Sequence, residues 1–138
     1  MQRGVRGQIG IEYLIIAGFV IFLVFSVLGV ALYYSSGIHD SLTYSYISRF
    51  ASSLISSSES VFYAGEPSKS TFDLYLPAEV RRITINGTRI YFYYLTSDGS
   101  NNVSFTSKVS LQGNLSINEG TKHISVTAAS DHVDILEH

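Results

Sequence analysis

The 138-residue chain contains no cysteine, which excludes disulfide scaffolds, cysteine-ligated zinc and thiol chemistry. It has no basic patch to hold a nucleic acid: nine lysines and arginines stand against eleven acids, leaving a formal charge of −2. There is no glycine-rich phosphate loop, no serine, histidine and aspartate in a supporting context, and no close pair of acids in an apolar setting. These absences argue against an enzyme. Of the four histidines (His39, His123, His132 and His138), only those in the tail Asp131 to His138 stand among other potential metal ligands. Strand alternation there lets His132 and Asp134 share a face, yet a solvated polar end is the simpler reading, with neither a metal nor a cofactor. No internal repeat appears, and no linker is long enough to set off a second domain.

What is present begins with an apolar run. From Tyr13 to Tyr34 no side chain is charged. That is about 22 residues, enough to cross the roughly 30 Å hydrocarbon core of a bilayer as a helix. Glu12 sits at the lip of this run, and a short basic stretch carrying Arg3 and Arg6 precedes it. By the positive-inside rule those arginines stay in the cytoplasm and everything after Tyr34 is sent outward. The small-residue junction Gly7-Gln8 lies before the apolar run, whereas an ordinary secretory signal is cut beyond its hydrophobic region. The order suggests that the leader is lost and the hydrophobic helix kept.

The stretch Gly7-Gln8-Ile9-Gly10-Ile11-Glu12-Tyr13-Leu14-Ile15-Ile16 resembles the class III signal peptide of archaeal type IV pilins: a basic leader, a cut before Gln, a small third residue, Glu fifth, then an apolar run. Counting from Gln8, the third residue is Gly10 where Ser is commoner, and the ninth is Ile16 in place of Leu; both keep size or hydrophobicity. The resemblance covers roughly the first thirty residues. It implies cleavage between Gly7 and Gln8 by a prepilin peptidase, a membrane-held precursor, and a helical homopolymer built with a pilus assembly ATPase and membrane platform. The filament so implied lies outside the cell and serves surface adhesion. Loss of Arg3 and Arg6 would leave a mature chain near −4. Cleavage would also place a new ammonium on Gln8 about one turn from Glu12, and pairing between them, within or between subunits, would set register in an apolar surround. A swimming-filament subunit and a single-pass membrane protein with an outward β domain are the alternatives.

Beyond the span the helical pattern continues. Ile38, Leu42, Ile47, Phe50, Ala51, Leu54, Ile55, Val61 and Phe62 recur at mostly three- and four-residue steps, with serines between them. Gly65-Glu66-Pro67 supplies a stop, so the helix is expected from about Ile9 to Phe62. Strand-like alternation then covers 72–76, 80–85, 89–95, 103–111, 115–118, 123–128 and 133–136, with a tight hairpin at Asn86-Gly87. The expected class is α+β: leader 1–7, a long helix over 8–64, and an antiparallel sheet domain over 65–138 that covers the helix's second half. Tyr91 to Tyr94 form an aromatic strand whose alternate rings face opposite sides. Asn86-Gly87-Thr88, Asn102-Val103-Ser104 and Asn114-Leu115-Ser116 match the N-glycosylation tripeptide near expected turns. They read either as plain turn residues or as glycan acceptors, and outward export favours the second.

Overall fold

Helix-compatible residues run unbroken to Ala64, and the chain is helical from Gly4 to that point, earlier than the start near Ile9 expected from the sequence. The computed structural model describes the backbone of residues 4–138 and the side chains of residues 10–35 and 37–138. Helix α1 spans Gly4–Ala64, followed by strands β1 (Lys69–Leu76), β2 (Val80–Thr96), β3 (Gly99–Gly113), β4 (Gly120–Ala128) and β5 (Val133–Glu137). The chain is therefore α+β. Two compact units divide it, one up to His39 and one from Asp40 to His138.

In the second unit, Ile47, Phe50, Ala51, Leu54 and Val61 of α1 are buried, with Thr43 and Ser58 on the same stripe. Three- and four-residue steps put these side chains on one helix face. Ile38 and Leu42, expected on that stripe, are instead exposed. The serine run 56–58 does not end the helix, because residues on both sides of it are packed. The helix stops where Gly65 turns to φ +83, its N–H donating to Phe62 O at 3.1 Å. A left-handed residue of this kind suits glycine and closes the last carbonyls.

The sheet order is β1-β4-β5-β3-β2. Val80, Ile90, Phe92, Leu111, Ile124, Val126, Val133 and Ile135 are buried with the helix stripe. Phe92 stands between Phe50, 5.9 Å away at 77°, and Phe105, 6.0 Å away at 81°. Such edge-to-face geometry adds to the area that the rings bury. Of the aromatic strand, Phe92 and Tyr94 face the core, whereas Tyr91 and Tyr93 are half-buried on the other side.

Although β2 is one continuous extended run, it cannot be straight. Leu95 N–H donates to Glu79 O at 2.9 Å, whereas a straight run between them would hold those groups roughly 50 Å apart. The run folds back on itself near Gly87, whose φ is +57. Asn86-Gly87 is thus a reversal inside β2, matching the hairpin read from the sequence.

Two details of the sheet differ from the sequence expectation. The pairing of β3 with β5 is parallel, over Leu111↔Val133, Gln112↔Asp134 and Gly113↔Ile135, whereas the other pairings between strands are antiparallel. A tight turn after β4, with Ala129 N–H donating to His132 O at 2.9 Å, sends β5 back between β4 and β3. Since β4 and β3 point in opposite directions, β5 is antiparallel to one and parallel to the other. The segment 115–118 is not a strand. The Ser116 N–H is taken by the Glu137 carboxylate at 2.7 Å, so a side chain replaces the ladder partner.

Pairing of β2 with β3 slips between Gly87↔Leu111 and Arg89↔Thr106, which leaves the segment 107–110 of β3 bulged. The bulge has local partners: Lys108 N–H donates to Glu59 Oε1 of α1 at 2.9 Å and Val109 N–H to Ser107 Oγ at 3.1 Å.

Candidate functional site

The sheet unit pairs several titratable groups with polar partners, among them His123 Nδ1 with Asp73 Oδ1 at 2.5 Å and His138 Nε2 with Ser125 Oγ at 2.9 Å. Among the described residues no cluster of three or more histidines, acids or cysteines could hold a metal ion. His132 Nδ1 is 2.5 Å from Asp131 Oδ1 and its Nε2 is 3.2 Å from Asp134 Oδ1. The hydrogen bond to Asp131 holds the His132 ring above its ordinary pKa and, in return, the Asp131 carboxyl below its own. Asp131 is exposed and His132 half-buried, and the contact becomes an ion pair when the ring is protonated.

The site that stands out is the N-terminal helix itself. From Ile11 to Tyr34 its large apolar side chains are exposed, Phe19, Phe22, Phe25 and Leu32 each by more than three-fifths. Among the described residues one helix is long and apolar enough to cross a membrane, and no residue of its apolar window is buried. Leaving this many Leu, Ile, Val and Phe side chains in water would cost roughly 1.5–3 kcal/mol each, so the segment requires an apolar surround. Its one serine is already satisfied, Ser26 Oγ donating to Phe22 O at 2.8 Å. Such back-bonding is how a serine avoids exposing a polar group to hydrocarbon. Tyr33 and Tyr34 close the segment in an edge-to-face contact, with ring centroids 5.7 Å apart.

The sequence-designated residues are distributed as follows. Gly7 and Gln8 lie on helical backbone, and their side chains, with those of the rest of 4–9, fall outside the described residues, so the proposed Gln8 to Glu12 pairing does as well. Glu12 is exposed at the start of the apolar segment. The three tripeptide asparagines are all exposed but not brought together: Asn86 at the bend of β2, Asn102 in β3 opposite Tyr93, and Asn114 just beyond β3.

One polar group has no counterpart in the sequence reading. Lys122, 6 % exposed on the core side of β4, donates to Glu137 Oε1 at 2.8 Å and also to Ser116 Oγ. The signal was available: Val133, Ile135 and Glu137 alternate along β5, which puts Glu137 on the buried face. Comparison with protein-family models, with curated proteins and with solved structures gives no match.

Proposed function

We propose that this chain is a structural pilin subunit, made as a membrane-anchored precursor, cut between Gly7 and Gln8, and polymerised through its N-terminal helix into an extracellular filament of the type IV pilus kind. The observation that supports the reading is the division of labour along α1. Residues from Thr43 to Val61 bury a stripe against the sheet and complete a core there, whereas the segment from Ile11 to Tyr34 contributes nothing to that core. A polymer of identical helices satisfies such a segment as a bilayer does. Moving from lipid to a helix bundle exchanges one apolar surround for another, so extraction need not cost the whole transfer energy.

In this scheme the apolar helix holds the precursor in the membrane, the basic leader fixes its end on the cytoplasmic side, and cleavage takes away Arg3 and Arg6 together. Glu12 then meets the new ammonium of Gln8 on its own or a neighbouring subunit, because an unpaired carboxylate in an apolar core costs several kcal/mol. Packing of Leu, Ile, Val and Phe supplies cohesion, and the acid supplies register. Adhesion to surfaces is the role this architecture supports.

N-terminal sequencing of chain taken from the cell surface tests the reading. A mature end at Gln8, together with filaments that disappear when the chain is deleted, is the expected result. Retention of Met1 on a chain found only in the membrane would overturn it in favour of a single-pass membrane protein.

A further inference from the structure

Three tripeptides of the same chemical type sit in three different backbone settings. In Asn102-Val103-Ser104 the backbone belongs to the β2–β3 ladder, Asn102 opposite Tyr93 and Ser104 opposite Tyr91. Extended residues advance roughly 3.3 Å each, so asparagine and hydroxyl residue are about 6.6 Å apart. The backbone between them is paired along the strand and so cannot fold back into a turn without leaving the ladder. The tripeptide is held straight.

In Asn114-Leu115-Ser116 the asparagine is exposed, but the rest is anchored. Leu115 is 5 % exposed, Ser116 N–H donates to Glu137 Oε2 at 2.7 Å, and Ser116 Oγ donates to Glu137 Oε1 at 2.7 Å. Lys122 Nζ donates to the same hydroxyl. The hydroxyl that the tripeptide must present is already committed to a partly buried ion pair.

Asn86-Gly87-Thr88 is the opposite case. All three residues are exposed, and among the described residues neither the Asn86 amide nor the Thr88 hydroxyl has a hydrogen-bond partner. Gly87 has φ +57, and a Cβ built on it would meet no atom within 4 Å. Here the chain reverses, so residues two apart lie closer than in a strand. Asparagine followed by a hydroxyl residue in a bend can form local hydrogen bonds of the Asx-turn type.

We propose that Asn86 is the N-glycan acceptor of the folded domain, and that the Asn114 tripeptide is locked against modification by Glu137 and Lys122. The donor class is a saccharide on a lipid phosphate. In the transfer the bond from Asn86 Nδ2 to the anomeric carbon forms, and the bond from that carbon to the phosphate oxygen breaks. The lipid phosphate leaves with the electron pair, and the proton released from the amide nitrogen passes to water. The inference rests on the outward orientation contained in the reading above, since the acceptor must meet the transfer machinery outside the cytoplasm.

Peptide mapping by mass spectrometry of the full chain from its native cells tests it. Expected is a saccharide on the Asn86 peptide and a bare Asn114 peptide, with loss of one whole glycan mass from the intact protein in both Asn86→Gln and Thr88→Ala. A bare Asn86 peptide overturns the proposal, as does occupancy at Asn114 equal to or above that at Asn86. Filaments carrying a bare Asn86 would remove this inference alone. A glycan on Asn86 of a chain that never leaves the membrane as a filament would instead remove the assembly reading and leave this one standing.

Discussion

Lys122 Nζ and Glu137 Oε1 lie 2.8 Å apart, with side chains 7 % and 20 % exposed, and so tie β4 to the last residue of β5. Burial works against the Glu137 charge. Hydrogen bonds from Lys122 and from the hydroxyl and N–H of Ser116 outweigh it and hold the carboxyl below its ordinary range. A carboxyl depressed in the folded state gives stability that is present above its unfolded pKa of about 4.3 and lost as pH falls through the folded value. Melting temperature should therefore fall between pH 6 and pH 3 in the native chain and change less in Glu137→Gln. At neutral pH, Glu137→Ala strands the Lys122 amine and should cost on the order of 2 kcal/mol. Thermal melts followed by circular dichroism at the two pH values check both outcomes.

Gly113 separates two effects that glycine can have. A Cβ there would lie 2.3 Å from Ile135 O, at a φ of +145, where β3 meets β5 in parallel. Backbone carbonyl cannot swing aside as a flexible side chain can, so Gly113→Ala should cost at least about 2 kcal/mol. At Gly87 there is open space and only the positive φ to penalise, so Gly87→Ala should cost about 1 kcal/mol. Denaturant unfolding of both variants should preserve that order; equal losses would show that the close approach at Ile135 is relieved without cost.

Phe50 links the helix to the sheet through Phe92, and it is 2 % exposed. Phe50→Ala should destabilise the sheet unit by about 3–5 kcal/mol, through lost burial and the cavity left behind. Phe50→Leu keeps most of the volume and should cost nearer ~1.5 kcal/mol. Because the apolar segment before His39 takes no part in this core, both variants should still insert in membranes. Carbonate extraction alongside the melts distinguishes a folding defect from an insertion defect.

Glu12→Gln removes the one charge at the edge of the apolar segment without altering its length. Export and folding of the sheet unit should be unchanged, whereas filaments should fall at least roughly tenfold, the change that about 1.4 kcal/mol produces. Electron microscopy of the cell surface counts them, and immunoblotting of the membrane fraction accounts for the unassembled chain. Native filament numbers would sink the register role given to Glu12.

Elements decided by local chemistry were legible in the sequence: the length of the apolar run, the apolar steps of the second helical half, the Gly65 stop, the Asn86-Gly87 reversal and the main strands. Each rests on periodicity or on a residue's own backbone preference. What the sequence did not reveal depended on who sits opposite. Whether β5 entered beside β3 in parallel, whether 115–118 paired or was held by Glu137, and whether Leu42 or Thr43 faced the sheet were set by packing between residues far apart in the chain. The same division runs through the site. Chain composition by itself determined that Ile11 to Tyr34 needs an apolar surround and that three asparagines carry the acceptor pattern. Only the tertiary structure decided that the core closes without that segment, and that among the three tripeptides Ser116 gives up its hydroxyl to Glu137 while Thr88 keeps its own. The physical reason is that a buried charge recruits the nearest donors whatever their other uses, and which donors are nearest is a property of the fold.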